Sequence, residues 1–211
     1  MERTPQEILQ RHLPQAAVAP FLDYWERNKL NLHICRERTS KLGDYLLPTP
    51  QHPQHAISVN GTLNRYHFLL VLLHEMGHLD TFVRYGRSVQ PHGHEWQEAF
   101  ARLIREYLDY GCFPDEVAAL LNRYAAKIPL NRTLKEQIDD LLAHYDRNYN
   151  PDDSLKLDDL LPGDRFVLKN GKERVFEVVE HRRSRWVCRV IPDGGLFLVP
   201  GGAKVRKCNQ G

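Results

Sequence analysis

Apolar residues recur at helical spacing through residues 5–27, with Ile8, Leu9, Phe21, Leu22 and Trp25 as the anchors. Thr4 is a candidate N-cap and Pro5 suits a first turn, whereas Pro14 and Pro20 must break or kink the run. The pattern then alternates over Leu30–Arg36, which reads as a strand. Two more strands are expected near Tyr45–Leu47 and Ala56–Val59, separated by a Pro- and His-rich loop and closed by turn chemistry at Asn60-Gly61. A helix is predicted from about Leu63 to Tyr85. Its stretch Phe68–Leu73 is apolar on every side, which places it in the core. Gly86 marks its end. A loop, Arg87–Pro91, leads to a helix from about His92 to Tyr110, closed by Gly111. Pro114, followed by Asp115 and Glu116, opens another over about 114–126. A last amphipathic segment is Thr133–Tyr145, where Thr133 and Glu136 fit a capping box.

Residues 146–155 are polar and turn-rich, and beyond them the period changes. Short β-like runs at Phe166–Leu168, Val175–Val179, Trp186–Ile191, Leu196–Val199 and Ala203–Val205 alternate with turn signals at Asn170-Gly171, Asp193-Gly194-Gly195 and Gly201-Gly202. The prediction is an α+β chain in three parts. Residues 1–147 form a mainly helical domain with a small β-sheet, 148–155 a linker, and 156–211 a small all-β domain, an SH3-like barrel or similar.

Composition changes this picture little. Hydrophobic residues at 42% and charged residues at 27% describe an ordinary globular protein, and a formal net charge of +2 does not by itself point to nucleic acid. The charge is uneven, however: residues 163–211 carry +6 and the rest −4, a basic tail on an acidic body. The run Phe68–Leu73 falls far short of the roughly 20 residues that span a bilayer, and the first ten residues hold no apolar signal core. No membrane association and a cytoplasmic location are expected, with Cys35, Cys112, Cys188 and Cys208 reduced and mostly buried.

Candidate chemistry centres on His74-Glu75-Met76-Gly77-His78. Positions i and i+4 share a helix face one turn apart, so two imidazoles can reach one cation, and the Glu beside the first His can take a proton from water on the open side. Zinc lowers the pKa of a water it binds to about 7, which makes this useful near neutral pH. The competing reading is two histidines on an ordinary helix, since a bare HExxH arises by chance. Against it, the apolar helix puts His74 and His78 where unpaired polar groups are costly. A catalytic zinc needs a third protein ligand, and Pro91–Trp96, with His92 and His94, can supply it from the start of the next helix.

With these two motifs in view, the chain resembles the SprT-like zinc metallopeptidases. Their pattern is HExxH, a short interval, then His-Gly-x-Glu followed by Trp or Phe, and residues 74–78 and 92–96 match it position by position. The resemblance extends loosely over about 5–126, and Arg38–Gly43 looks like the stretch ahead of the family's metal helix. It implies a zincin-like fold and one Zn2+ held by His74, His78 and His92, with Glu75 as general base. The substrate would be a protein or peptide, including proteins associated with DNA. His94 takes the variable position and stays an alternative ligand. Glu95 could orient a ligand imidazole or simply face solvent, and Trp96 is expected to pack under the site. The chain departs from many bacterial members in lacking the paired cysteines of a zinc ribbon.

In the C-terminal part, Arg182, Arg183 and Arg185 stand beside Trp186. Arginines on phosphates with an aromatic on bases would make a DNA-binding surface; a charged turn before a core Trp is the plainer reading. Three functional classes therefore stand open: a zinc metallopeptidase, a non-catalytic zinc-containing DNA-associated adaptor, and a small-substrate zinc hydrolase. The adaptor would need a fourth ligand, for which His94, Cys112, His52 and His55 are candidates.

Overall fold

Proline at position 14 ends the first helical run, and proline at position 20 does not. The computed structural model describes residues 4–127, 129–147, 149, 155–168, 174–183 and 185–208. In it the expected helix over 5–27 is two helices, α1 (Pro5–His12) and α2 (Gln15–Asn28). Pro14 forces extended backbone on Leu13, whereas Pro20 sits inside α2 without ending it. Thr4 caps α1 with a full capping box to Glu7.

Six α-helices and two sheets make up the described residues, in two compact units, Met1–Arg147 and Asn148–Gly211. In the first unit the sheet has the order β1 (Asn31–Cys35), β3 (Ala56–Asn60), β2 (Gly43–Leu46). β3 is central, parallel to β1 and antiparallel to β2, and its Ile57 and Val59 are fully buried. Helix α3 (Arg65–Tyr85) is the spine of the unit. Leu69, Leu72, Leu73, Met76 and Leu79 have no exposed surface, as its all-round apolar sequence requires. Helices α4 (His94–Asp109), α5 (Asp115–Ala125) and α6 (Arg132–Ala143) complete the unit.

Two helix starts differ from expectation. α4 begins at His94, so His92 lies in the turn before it rather than in its first turn. The last helix is capped by Asn131, whose side chain accepts from the Leu134 N–H at 3.0 Å; Thr133 is inside the first turn and the expected capping box does not form.

The second unit is an antiparallel sheet in the order β7, β6, β5, β4, β8. The strands are β4 (Arg165–Leu168), β5 (Val175–Arg182), β6 (Arg185–Ile191), β7 (Leu196–Pro200) and β8 (Val205–Lys207). Phe166, Cys188 and Val205 form its core with Leu157, all fully buried. Among the described residues nothing pairs β7 with β8, so the strands form an open sheet and the expected barrel closure is not seen. Ala203 belongs to a turn, its N–H bonded to the Pro200 carbonyl, so β8 starts later than expected. The expected Asn170-Gly171 turn and most of the expected linker, 148–155, lie outside the described residues. No helix among the described residues is long and apolar enough to cross a membrane.

Asn64 ties α3 to α6. Its Oδ1 caps the Tyr66 and His67 N–H groups, while its Nδ2 donates to the Leu142 carbonyl at 2.8 Å and to Asp146 at 2.7 Å. Replacing Asn64 with Ala is expected to lower the stability of the first unit by about 1–2 kcal/mol in urea unfolding, with Asn64→Ser recovering part of the loss. An unchanged Asn64→Ala midpoint would contradict this role.

Candidate metal centre

The helical repeat of α3 puts His74 and His78 one turn apart on the same face. The third imidazole comes from the turn Gln90–Gly93. His92 there holds a left-handed conformation with φ of 58°, a costly state for a residue with a side chain. Gly93 has no room for a Cβ, which would stand 2.9 Å from the Gln90 carbonyl oxygen. The turn is fixed by the Gly93 N–H to that carbonyl, and the Gln97 amide donates to the His92 carbonyl at 2.9 Å.

These elements bring three ring nitrogens together. His92 Nε2 lies 3.1 Å from His74 Nε2 and 3.1 Å from His78 Nε2. A ring nitrogen offers either one N–H or one lone pair, so ordinary hydrogen bonds explain this clustering poorly. The spacing fits a shared ion: two nitrogens bound tetrahedrally at about 2.0–2.1 Å lie about 3.3 Å apart. Burial pulls the His74 pKa down to about 3 and that of His78 to about 4, with the neighbouring histidines adding to the effect; burial lowers His92 as well. All three rings are thus neutral near pH 7, the state a metal ligand requires. His74, His78 and His92 could therefore hold a metal ion.

Trp96 forms the floor, with ring centroids 4.6 Å from His74, 5.3 Å from His78 and 4.6 Å from His92. Gly77, inside the motif, makes this possible, since a Cβ there would come within 3.1 Å of the Trp96 indole nitrogen. Glu75 lies against the start of β2 at Gly43 and is 6% exposed. Burial raises its carboxyl pKa to about 7 and Asp44 adds to the rise, while Lys41, Arg38 and a hydrogen bond from the Tyr45 backbone N–H oppose it.

The segment before β2 is held against Glu75 by Arg38 and Asn60. Arg38 donates to Asn60 Oδ1 at 2.8 Å and to Ser58 Oγ at 2.9 Å, and the Asn60 amide returns bonds to the Arg38 and Lys41 carbonyls. That anchoring presses Gly43 so close that an added Cβ would lie 2.6 Å from Glu75 Oε1. A cleft of about 240 Å³ opens beside Glu75 and His74.

Residues 21–114 match the family model described as SprT-like. The first unit carries a SprT-like domain. No curated protein and no solved structure matches the chain. The matched stretch holds α3, the His92 turn and α4, so all the residues just described fall inside the SprT-like domain.

Other candidates stand apart from the three rings. His94 is exposed, with its Nδ1 3.8 Å from Glu98. Glu95, half-buried in the first turn of α4, makes no hydrogen bond to a ring among the described residues. Cys112 is buried in the core, His55 accepts or donates to the Tyr45 hydroxyl, and His52 is exposed. None of them joins the cluster of ligand atoms among the described residues. In the second unit Arg182, Arg183 and Arg185 are exposed around the β5–β6 turn. Arg182 pairs with Glu180 at 2.7 Å. Trp186 packs on His181 and donates to Asp158 at 2.7 Å. The roles of Asn60 and Gln97 had no direct mark in the sequence. Gly43 was marked only as the end of Arg38–Gly43, the stretch that resembles the lead into the family's metal helix.

Purified wild-type protein is expected to bind about one equivalent of divalent metal by elemental analysis. His74→Ala and His78→Ala should lose it, His92→Ala should weaken it strongly, and His94→Ala should leave it unchanged. Loss in His94→Ala with retention in His92→Ala would reverse the assignment.

Proposed function

We propose that the SprT-like domain is a zinc-dependent metallopeptidase in which His74, His78 and His92 hold one Zn2+ and Glu75 carries the proton. The observation that carries this reading is Glu75 itself, a buried carboxylate one residue from a ligand, facing a cleft. A purely structural metal site has no use for such a group. The fold is taken as zincin-like, which is supported by the motif helix α3 lying against a small mixed sheet with β2 at its edge.

Three imidazoles suit zinc and leave a coordination position open for water or substrate. When bound, zinc supplies Lewis acidity toward a peptide carbonyl and makes water available as a nucleophile near neutral pH. The chain's own groups do the rest. Glu75, with its proton affinity raised by burial, accepts a proton from the attacking water and returns it to the leaving amine. The Tyr45 N–H and the Gly43 contact fix the carboxylate's direction. The substrate is a protein or peptide. A cytoplasmic setting belongs to the same proposal, supported by four cysteines that are all free thiols.

The second reading, a non-catalytic zinc-containing adaptor associated with DNA, draws on exposed Arg182, Arg183 and Arg185. Arg182 is already paired, and the Trp186 ring is engaged by His181, which weakens the surface that stacking on bases requires.

Glu75→Gln keeps the shape and removes the base. It is expected to lower cleavage of casein or a DNA-bound protein by at least about 10²–10⁴-fold while zinc content stays at the wild-type level. A variant as active as wild type would rule out the role of Glu75. Inactive wild-type protein with full zinc, with and without DNA, would favour the adaptor.

A further inference from the structure

We infer that the cleft beside Glu75 is a specificity pocket for one large apolar side chain, leucine or aromatic, on the residue next to the bond being cut; this rests on the peptidase reading above. The cleft runs along one face of α3. His67, Val71 and Glu75 succeed one another at i, i+4 and i+8, with Leu70 and His74 beside them, so the cleft extends about 12 Å along the helix from the candidate base. A leucine or phenylalanine side chain spans roughly half of that length, enough to fill the end next to Glu75. The volume of about 240 Å³ agrees, since it falls below the roughly 300–1,000 Å³ of sites for larger ligands.

The walls are apolar. Leu70 and Val71 come from α3, Phe100 from α4, Tyr124 from α5 and Ile138 from α6, and Leu42 stands half-exposed at 42%. The charged groups away from Glu75 are engaged with one another. Lys135 and Asp139, one turn apart on α6, pair at 2.6 Å, and burial lowers the proton affinity of His67. A charged substrate side chain would lose water there and gain a partner only by breaking that pair. Tyr124, Lys135, Ile138 and Asp139 lie beyond residues 21–114, so helices outside the matched stretch supply part of the pocket.

The test has two arms, both on the full-length chain. In the first, zinc-loaded protein cleaves a peptide library randomised around the scissile bond. One position should prefer Leu or Phe over Ala, Gly and Asp by about 10–200-fold. Leu42→Trp, a partly exposed position whose side chain holds no part of the core, should obstruct the pocket and reduce that preference at least tenfold. In the second arm, metal-free protein is titrated with N-acetyl-leucinamide, N-acetyl-phenylalaninamide and N-acetyl-glycinamide, followed by NMR of the Phe100 and Tyr124 rings. The first two should shift those signals saturably, glycinamide should not, and Leu42→Trp should abolish the shifts. Cleavage without side-chain preference, or a preference that Leu42→Trp leaves intact, overturns the pocket and leaves the peptidase reading standing. Saturable binding with no cleavage of any peptide overturns the peptidase reading and, with it, the placement next to a scissile bond. Failure in both arms overturns both.

Discussion

Three neutral imidazoles whose Nε2 atoms crowd to 3.1 Å from a common member have no good way to satisfy one another. Any pair can share one proton, and then the third faces a lone pair or an N–H it cannot use. Much of the first unit is built to impose this crowding. α3 runs through the apolar core, so the spacing of His74 and His78 is rigid. Trp96 lies under all three rings, with Gly77 leaving it room. The Gln90–Gly93 turn holds His92 in a left-handed backbone state, and strain of that kind persists only where surrounding contacts over-determine it. A cation shared by the rings would relieve the conflict and give the strained turn a purpose.

The same constraint extends around α3. Glu75 follows His74 directly, so fixing one imidazole fixes the carboxylate on the neighbouring face. There the sheet takes over: Asn60, only 1% exposed, locks Arg38 and the Lys41 carbonyl, and the chain enters β2 with Gly43 against the carboxylate. The apolar environment raises the carboxyl's proton affinity, and the Tyr45 N–H points it. The proposed ligands and proton carrier are thus set by one helix and two supporting segments, a turn on one side and a strand edge on the other.

Much of this was legible in the sequence because it rests on short-range periodicity. The i, i+4 histidines, the uninterrupted apolar stretch Phe68–Leu73 and the glycines after helices report local geometry that nothing distant overrides. What escaped depended on contacts far apart in the chain. The capping of α6 by Asn131 rather than Thr133 was a choice between two competent caps that residue type alone does not settle. The division at Pro14 and the continuation of α2 through Pro20 show that a proline by itself does not say whether a helix ends there. His92 was expected at the head of α4, but its position before the helix comes from a turn that the residue types alone do not announce. The anchoring by Asn60 joins residues about twenty positions apart and leaves no periodic trace. In the second unit the alternation of short strands was visible, while closure of a barrel depends on edge pairing that alternation cannot specify.

The central claim is that three imidazoles share one zinc ion with a position left for an oxygen ligand. X-ray absorption at the zinc edge, on the full-length protein loaded with one equivalent, measures this directly. The account predicts three nitrogen scatterers with imidazole signatures at about 2.0–2.1 Å and one oxygen at a similar distance. A sulfur scatterer near about 2.3 Å, or a fourth imidazole in place of the oxygen, would contradict it.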